Sequence, residues 1–184
     1  MDIQTGDIVL ASKDSIMAKF MCLFQKDPVV WGHCLIAKDN DKLWEAKWLL
    51  IEVDAKTRLE KLKDYKILRL NCLTYENKQT ILQEAPKLLG RHYGFQRIFL
   101  QIFDHIFNIN WFTSQEEREY VQVCSSYAGW IYDKACGYKF NGVDWESCDP
   151  DDIEDDSLLY PERWIVVEEK GSERAMGRRL LKRG

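Results

Sequence analysis

Three side chains in this chain have the types that a thiol nucleophile requires. Cys124 offers a sulfur that can attack a carbonyl, His33 an imidazole that can take its proton, and Glu45 a carboxylate that can orient the imidazole. Cys124 stands at the mouth of the stretch VCSSYAGWIYDKA, in which Tyr127, Ala128, Ile131, Tyr132 and Ala135 recur at helical spacing. That spacing predicts a helix beginning close to Cys124. Unpaired N–H groups at a helix start stabilise a thiolate. They can also donate to an oxyanion, an effect worth about 3–4 kcal/mol per donor where it has been measured. The same residues serve equally well as a description of a buried core cysteine.

His33 lies in the apolar run VVWGHCLIA, which reads as a buried strand, and Glu45 lies in the strand-like run KLWEAKW. Between them Asp39-Asn40-Asp41 is a turn signal. A hairpin centred on Asn40 pairs residues whose numbers sum to about 79 or 80. His33 then falls opposite roughly residue 46 or 47, within a position or two of Glu45. The alternatives are a hydrogen-bonded core histidine and an edge-strand glutamate. His92, in the loop GRHYG, reads as a surface residue, and His105 as packing or partly exposed.

The elements that must position these groups follow in order. A first strand covers 6–11, and Asp14 is placed to cap a short helix running to Phe24. Strands follow at 29–38, 42–48, 49–55 and 65–71. Thr74 opens a helix carrying Ile81, Leu82, Ala85, Leu88 and Leu89, which Pro86 disturbs and Gly90 stops. The Cys124 helix ends near Gly137. An acidic loop, 144–156, precedes a last strand at 163–167, and a basic tail from Lys170 is expected to fray. Strands first and helices later predict an α+β fold, with an antiparallel sheet or small barrel packed against helices. One domain is expected over 1–184, with its core at about 6–167 and a basic C-terminal tail at 168–184.

Composition narrows the function. With 46% hydrophobic and 12% aromatic residues the chain is globular, and its net charge of −4 argues against nonspecific nucleic-acid binding. Six scattered cysteines without a CxxC pair, and only three histidines, point away from a structural zinc site, and no cofactor is suggested. The start MDIQTGDIVLAS has no secretory character, so a reducing, cytoplasmic setting is the expectation. The apolar stretch Phe95–Phe112 is interrupted by Gln96, Arg97, Gln101, Asp104 and His105, too often for a membrane span. Its polar side is poor in Lys and Arg, which disfavours a membrane surface. A core helix is the preferred reading, and a wall of an acyl or peptide groove the next.

The order GDIVLAS, WGHCLIA, LWEAKW, GRHYGF, VCSSYAGWIYDKACG, DPDDI resembles the circularly permuted papain-like cysteine hydrolases of NlpC type. That group includes YiiX-like proteins and, more distantly, lecithin retinol acyltransferase. The resemblance spans about residues 6–167. It implies a permuted papain-like fold with Cys124 as nucleophile, His33 as base and Glu45 as third residue. It implies support for substrate or oxyanion from Ser125, Tyr93 and Trp31. Asp149-Pro150-Asp151-Asp152-Ile153 resembles the Pro-x-Asp segment that follows the nucleophile helix. The Trp31-Gly32 flank of His33, the Cys34 after it and the long apolar stretch depart from the pattern.

The expected activity is thiol-dependent hydrolysis or acyl transfer at an amide or ester, through a thioester, with no metal. The substrate expected is a cell-wall-type peptide or a lipid acyl group. The rival reading is a non-catalytic module that docks to a partner or membrane through Phe95–Phe112 or the basic tail.

Overall fold

The structure, a computed structural model, describes residues 2–12, 31–47, 49–90 and 124–171. The proposed Asp14 helix, the Phe95–Phe112 stretch, Tyr93, His92, His105 and the tail beyond Gly171 lie outside them. Among the described residues, six strands form one antiparallel sheet: β1 (Ile8–Ser12), β2 (Trp31–Ala37), β3 (Lys42–Ala46), β4 (Leu50–Asp54), β5 (Tyr65–Leu70) and β6 (Trp164–Lys170). Their order is β4-β3-β2-β1-β5-β6, so the sheet is open rather than a barrel, with β4 and β6 at its edges. The α+β expectation holds.

Alternation along the strands gives the sheet two buried faces. On one, Ile8, Leu10, Cys34, Ile36 and Trp44 pack against three helices: α2 (Tyr75–Glu84), α3 (Cys124–Cys136) and α4 (Pro150–Leu159). On the other, Val9, Leu35, Ala37, Leu43 and Ile67 are covered by Ala55 and Leu59 of a short helix, α1 (Ala55–Glu60), and by Leu62. Sequence reading assigned no helix at 55–60. Asp54 caps it by accepting from the Thr57 N–H at 2.8 Å.

The stretch 144–156 is also not the acidic loop expected. It contains the start of α4, with Pro150 in the first turn and a reciprocal cap between Asp149 and Asp152. The acidic residues fit because carboxylates favour a helix N-terminus. Thr74 and Asn77 make the same kind of cap on α2, and Pro86 converts its end into a 3₁₀ turn at Ala85–Leu88. Gly137 follows α3 at a φ of 66°, the left-handed stop that a glycine there permits. Lys170 does not begin a frayed tail; it is the last residue of β6, and its Nζ donates to the Leu62 carbonyl at 3.1 Å.

Asp156 ties α4 to its surroundings. Its carboxylate accepts from the Tyr138 hydroxyl at 2.6 Å, the Trp164 indole N–H at 2.8 Å and the Asn141 N–H at 2.9 Å. Asp156→Ala leaves these donors without their acceptor and is expected to cost at least ~3 kcal/mol. Asp156→Asn, which keeps one acceptor oxygen, should cost less. Urea unfolding of both variants checks the ranking.

Candidate active site

Cys124 is the first residue of α3. Two contacts hold this end of α3 in place. Gly129 lies so close to the loop carrying Cys148 that a Cβ would stand 3.0 Å from the Trp145 backbone. The Ser125 hydroxyl donates to the Cys148 carbonyl at 2.7 Å. Ser125 thus uses its side chain as an anchor.

The hairpin carrying the other two groups has the predicted register. Leu35 pairs with Glu45, Ile36 with Trp44 and Ala37 with Leu43, each pair summing to 80. Glu45 therefore sits diagonally from His33, within reach of an imidazole. The His33 Nε2 lies 3.1 Å from Glu45 Oε1. Glu45 is not an edge-strand residue; β3 runs inside the sheet and the carboxylate is fully buried.

A buried carboxylate needs partners, and Glu45 has them. Arg58 on α1 donates from Nε to both oxygens at 3.0 Å, and from an Nη to Oε1 at 2.7 Å. Lys47 Nζ lies 3.1 Å from Oε2. Burial alone would raise the Glu45 pKa, but the hydrogen bonds from His33 and Arg58 outweigh it and hold it down at about 2. Arg58 was missed from sequence because nothing local marks it; only the fold of α1 under β3 brings it to Glu45.

Pairing of β2 with β3 ends at Leu35 and Glu45. Just past that point His33 and Cys34 meet the Cys124 sulfur. Burial pushes the imidazole down, yet the neighbouring Cys124 sulfur, with Glu45 behind it, raises His33 to about 9. The Cys124 thiol is held well below its ordinary value. A hydrogen bond from the Cys34 thiol is the largest cause; burial opposes it, while His33 and the Cys34 backbone N–H add to it. Both shifts run the same way, toward a charged sulfur and a charged imidazole, with the Glu45 carboxylate behind the ring. His33, Glu45 and Cys124 are thus brought together as the sequence order suggested. Cys34 joins them, a neighbour that sequence reading noted only as a departure.

Trp31 begins β2 and is buried in the same core cluster as Cys124. Its backbone N–H donates to Asp151 Oδ1 at 3.1 Å, which fastens β2 to α4 two residues before the histidine. Its indole N–H is buried and has no hydrogen-bond partner among the described residues. Tyr93 lies outside the described residues. Among the described residues, no group of three or more His, Cys, Asp and Glu side chains is arranged to hold a metal ion, and no helix is long and apolar enough to cross a membrane.

No family model matches the chain, and no curated protein does. Among solved structures it is similar to the metalloprotein YiiX from Escherichia coli O157:H7. That match has a TM-score of 0.54 and 19% identity, covering 90% of this chain and 89% of the other. At that identity the likeness concerns the fold: a YiiX-like α+β arrangement of antiparallel sheet and helices.

Proposed function

We propose that this protein is a cysteine hydrolase or acyltransferase on a circularly permuted papain-like fold, with Cys124 as nucleophile, His33 as base and Glu45 as orienting carboxylate. The observation that carries this reading is the His33 imidazole, bonded to the buried Glu45 at 3.1 Å and electrostatically paired with the Cys124 sulfur at the start of α3. A core cysteine needs none of these partners.

In this reading the Cys124 thiolate attacks the carbonyl carbon of an amide or ester. The carbonyl oxygen gathers negative charge, for which the first-turn N–H groups of α3 and the Trp31 indole N–H are the candidate donors. The tetrahedral intermediate collapses, His33 gives its proton to the leaving amine or alcohol, and a thioester remains. Water or another acceptor attacks the thioester while His33 takes a proton, and Cys124 is released as thiolate. Amides of cell-wall-type peptides and lipid acyl groups are the substrate classes to try. The cytoplasmic setting and the absence of a cofactor remain part of the proposal.

The test uses an activated acyl ester, p-nitrophenyl butyrate, and intact-protein mass spectrometry. One acyl group per chain should appear on Cys124 during a burst of nitrophenol. A burst that survives in both Cys124→Ser and His33→Ala sinks the proposal.

Arg58 is a positioning residue in this scheme, since it touches Glu45 and not the sulfur. Arg58→Ala should lower kcat/KM about tenfold, or ~1.4 kcal/mol. It should also move the alkaline limb of the pH profile, and Arg58→Lys should restore part of both. A purely structural arginine would lower the folded fraction and leave that limb in place.

A further inference from the structure

Three buried thiols share the core cluster at the start of α3: Cys34, Cys124 and Cys148, all unoxidised. They are not equivalent. The Cys34 thiol hydrogen-bonds the Cys124 sulfur, and the Cys34 backbone N–H does the same. The Cys148 sulfur instead lies 3.6 Å from the Asp149 carbonyl, and its own carbonyl is held by Ser125. Cys34 also sits in the middle of β2, opposite Leu10 of β1, which holds its backbone in place. Burial keeps it a neutral thiol, which is the form that can donate.

A thiolate beside a second thiol is the arrangement in which peroxide produces a disulfide rather than overoxidation. We propose that Cys34 is the resolving thiol of a reversible disulfide with Cys124, formed when a hydroperoxide oxidises the nucleophile. The inference rests on the reading of Cys124 as a thiolate.

Two steps make the bond. The Cys124 sulfur attacks one peroxide oxygen, the O–O bond breaks, and hydroxide leaves to be protonated by solvent; Cys124 is now a sulfenic acid. The Cys34 sulfur then attacks the Cys124 sulfur, the S–O bond breaks, and the Cys34 proton leaves with the hydroxyl as water. The two sulfurs give up two electrons in all, and the peroxide takes them. The second step needs no solvent access to Cys34, which suits a side chain only 2% exposed. In the disulfide the nucleophile is blocked, but protected from sulfinic acid, which thiols do not reverse.

The test treats the full chain with hydrogen peroxide and maps non-reduced peptides by mass spectrometry, with the p-nitrophenyl butyrate burst read on the same samples. The expected result is a Cys34–Cys124 linked peptide, loss of the burst, and recovery of both thiols with dithiothreitol. In Cys34→Ser, which keeps a donor beside the sulfur, and more slowly in Cys34→Ala, which removes it, the Cys124 thiol should be lost irrecoverably as sulfinic acid, with a sulfenic intermediate trapped by dimedone. Two variants guard against one that misfolds. A Cys124–Cys148 link, sulfinic acid at Cys124 beside free Cys34, or an unreacted Cys124 would each overturn the proposal. A full burst from the untreated protein with no link after peroxide discards the latch alone, whereas no burst even from the untreated protein, with the link formed after peroxide, discards the hydrolase reading and keeps the latch.

Discussion

Cys124→Ser is expected to abolish the acyl burst, with a loss on the order of 10⁴-fold or more in turnover. The reason is electrostatic as much as chemical. In the proposed reading the sulfur is already an anion, and hydrogen bonds with the Cys34 thiol, the Cys34 N–H and the His33 imidazole favour that form. A serine hydroxyl stays protonated there and presents the wrong charge to all three. His33→Ala should lose comparably, because the same imidazole both sustains the thiolate and later protonates the leaving group. The double variant should be little worse than either single one, since the two act as a unit. Burst amplitude and circular dichroism on the three variants separate this from misfolding. Additive losses would count against a pair.

Glu45→Gln is the second large effect, at roughly 10²–10⁴-fold on kcat/KM. The amide keeps the size of the side chain but removes the charge facing His33 and Arg58. Its pH dependence is specific. Activity of the native protein should rise as pH climbs through the depressed Cys124 value and fall as His33 deprotonates near 9. Glu45, held at about 2, stays ionised across that window. Without the carboxylate the imidazolium loses a partner, so the alkaline limb should move down in Glu45→Gln. The stability contribution of Glu45 has its own sign. Its folded pKa is depressed from 4.5, so the stabilisation is complete above about 4.5 and is lost as pH falls toward 2. Acid unfolding of Glu45→Gln should lack that segment of the native curve. A rate profile that keeps its alkaline limb unmoved would remove Glu45 from the site.

Much of this site was legible because its parts lie in a short hairpin and at a helix start. The Asp39–Asp41 turn set the register, and the observed pairs summing to 80 bring Glu45 to His33 as that turn implied. The apolar stripe from Tyr127 to Ala135 located the helix, and Cys124 is its first residue. What stayed hidden depends on contacts distant in sequence. Arg58 reaches Glu45 from a helix of six residues, too short to show a period. Cys34 gains its significance from α3, which no local pattern reveals. The Asp144–Asp156 carboxylates read as a loop by charge alone, although the Asp-Pro-x-Asp run at 149–152 is also a helix start. The barrel alternative failed on β4 and β6, which end the sheet instead of closing it. Nothing in the strand pattern distinguishes the two, since open and closed antiparallel sheets alternate alike.

The thiolate–imidazolium pair is the central claim, and the rate of iodoacetamide alkylation against pH, read by mass spectrometry at each cysteine, tests it most directly. Cys124 should react fast well below pH 8.5 while Cys34 and Cys148 remain slow, and His33→Ala should return Cys124 toward an ordinary thiol profile. A Cys124 that is inert, or that titrates like a free cysteine with or without His33, would contradict the account.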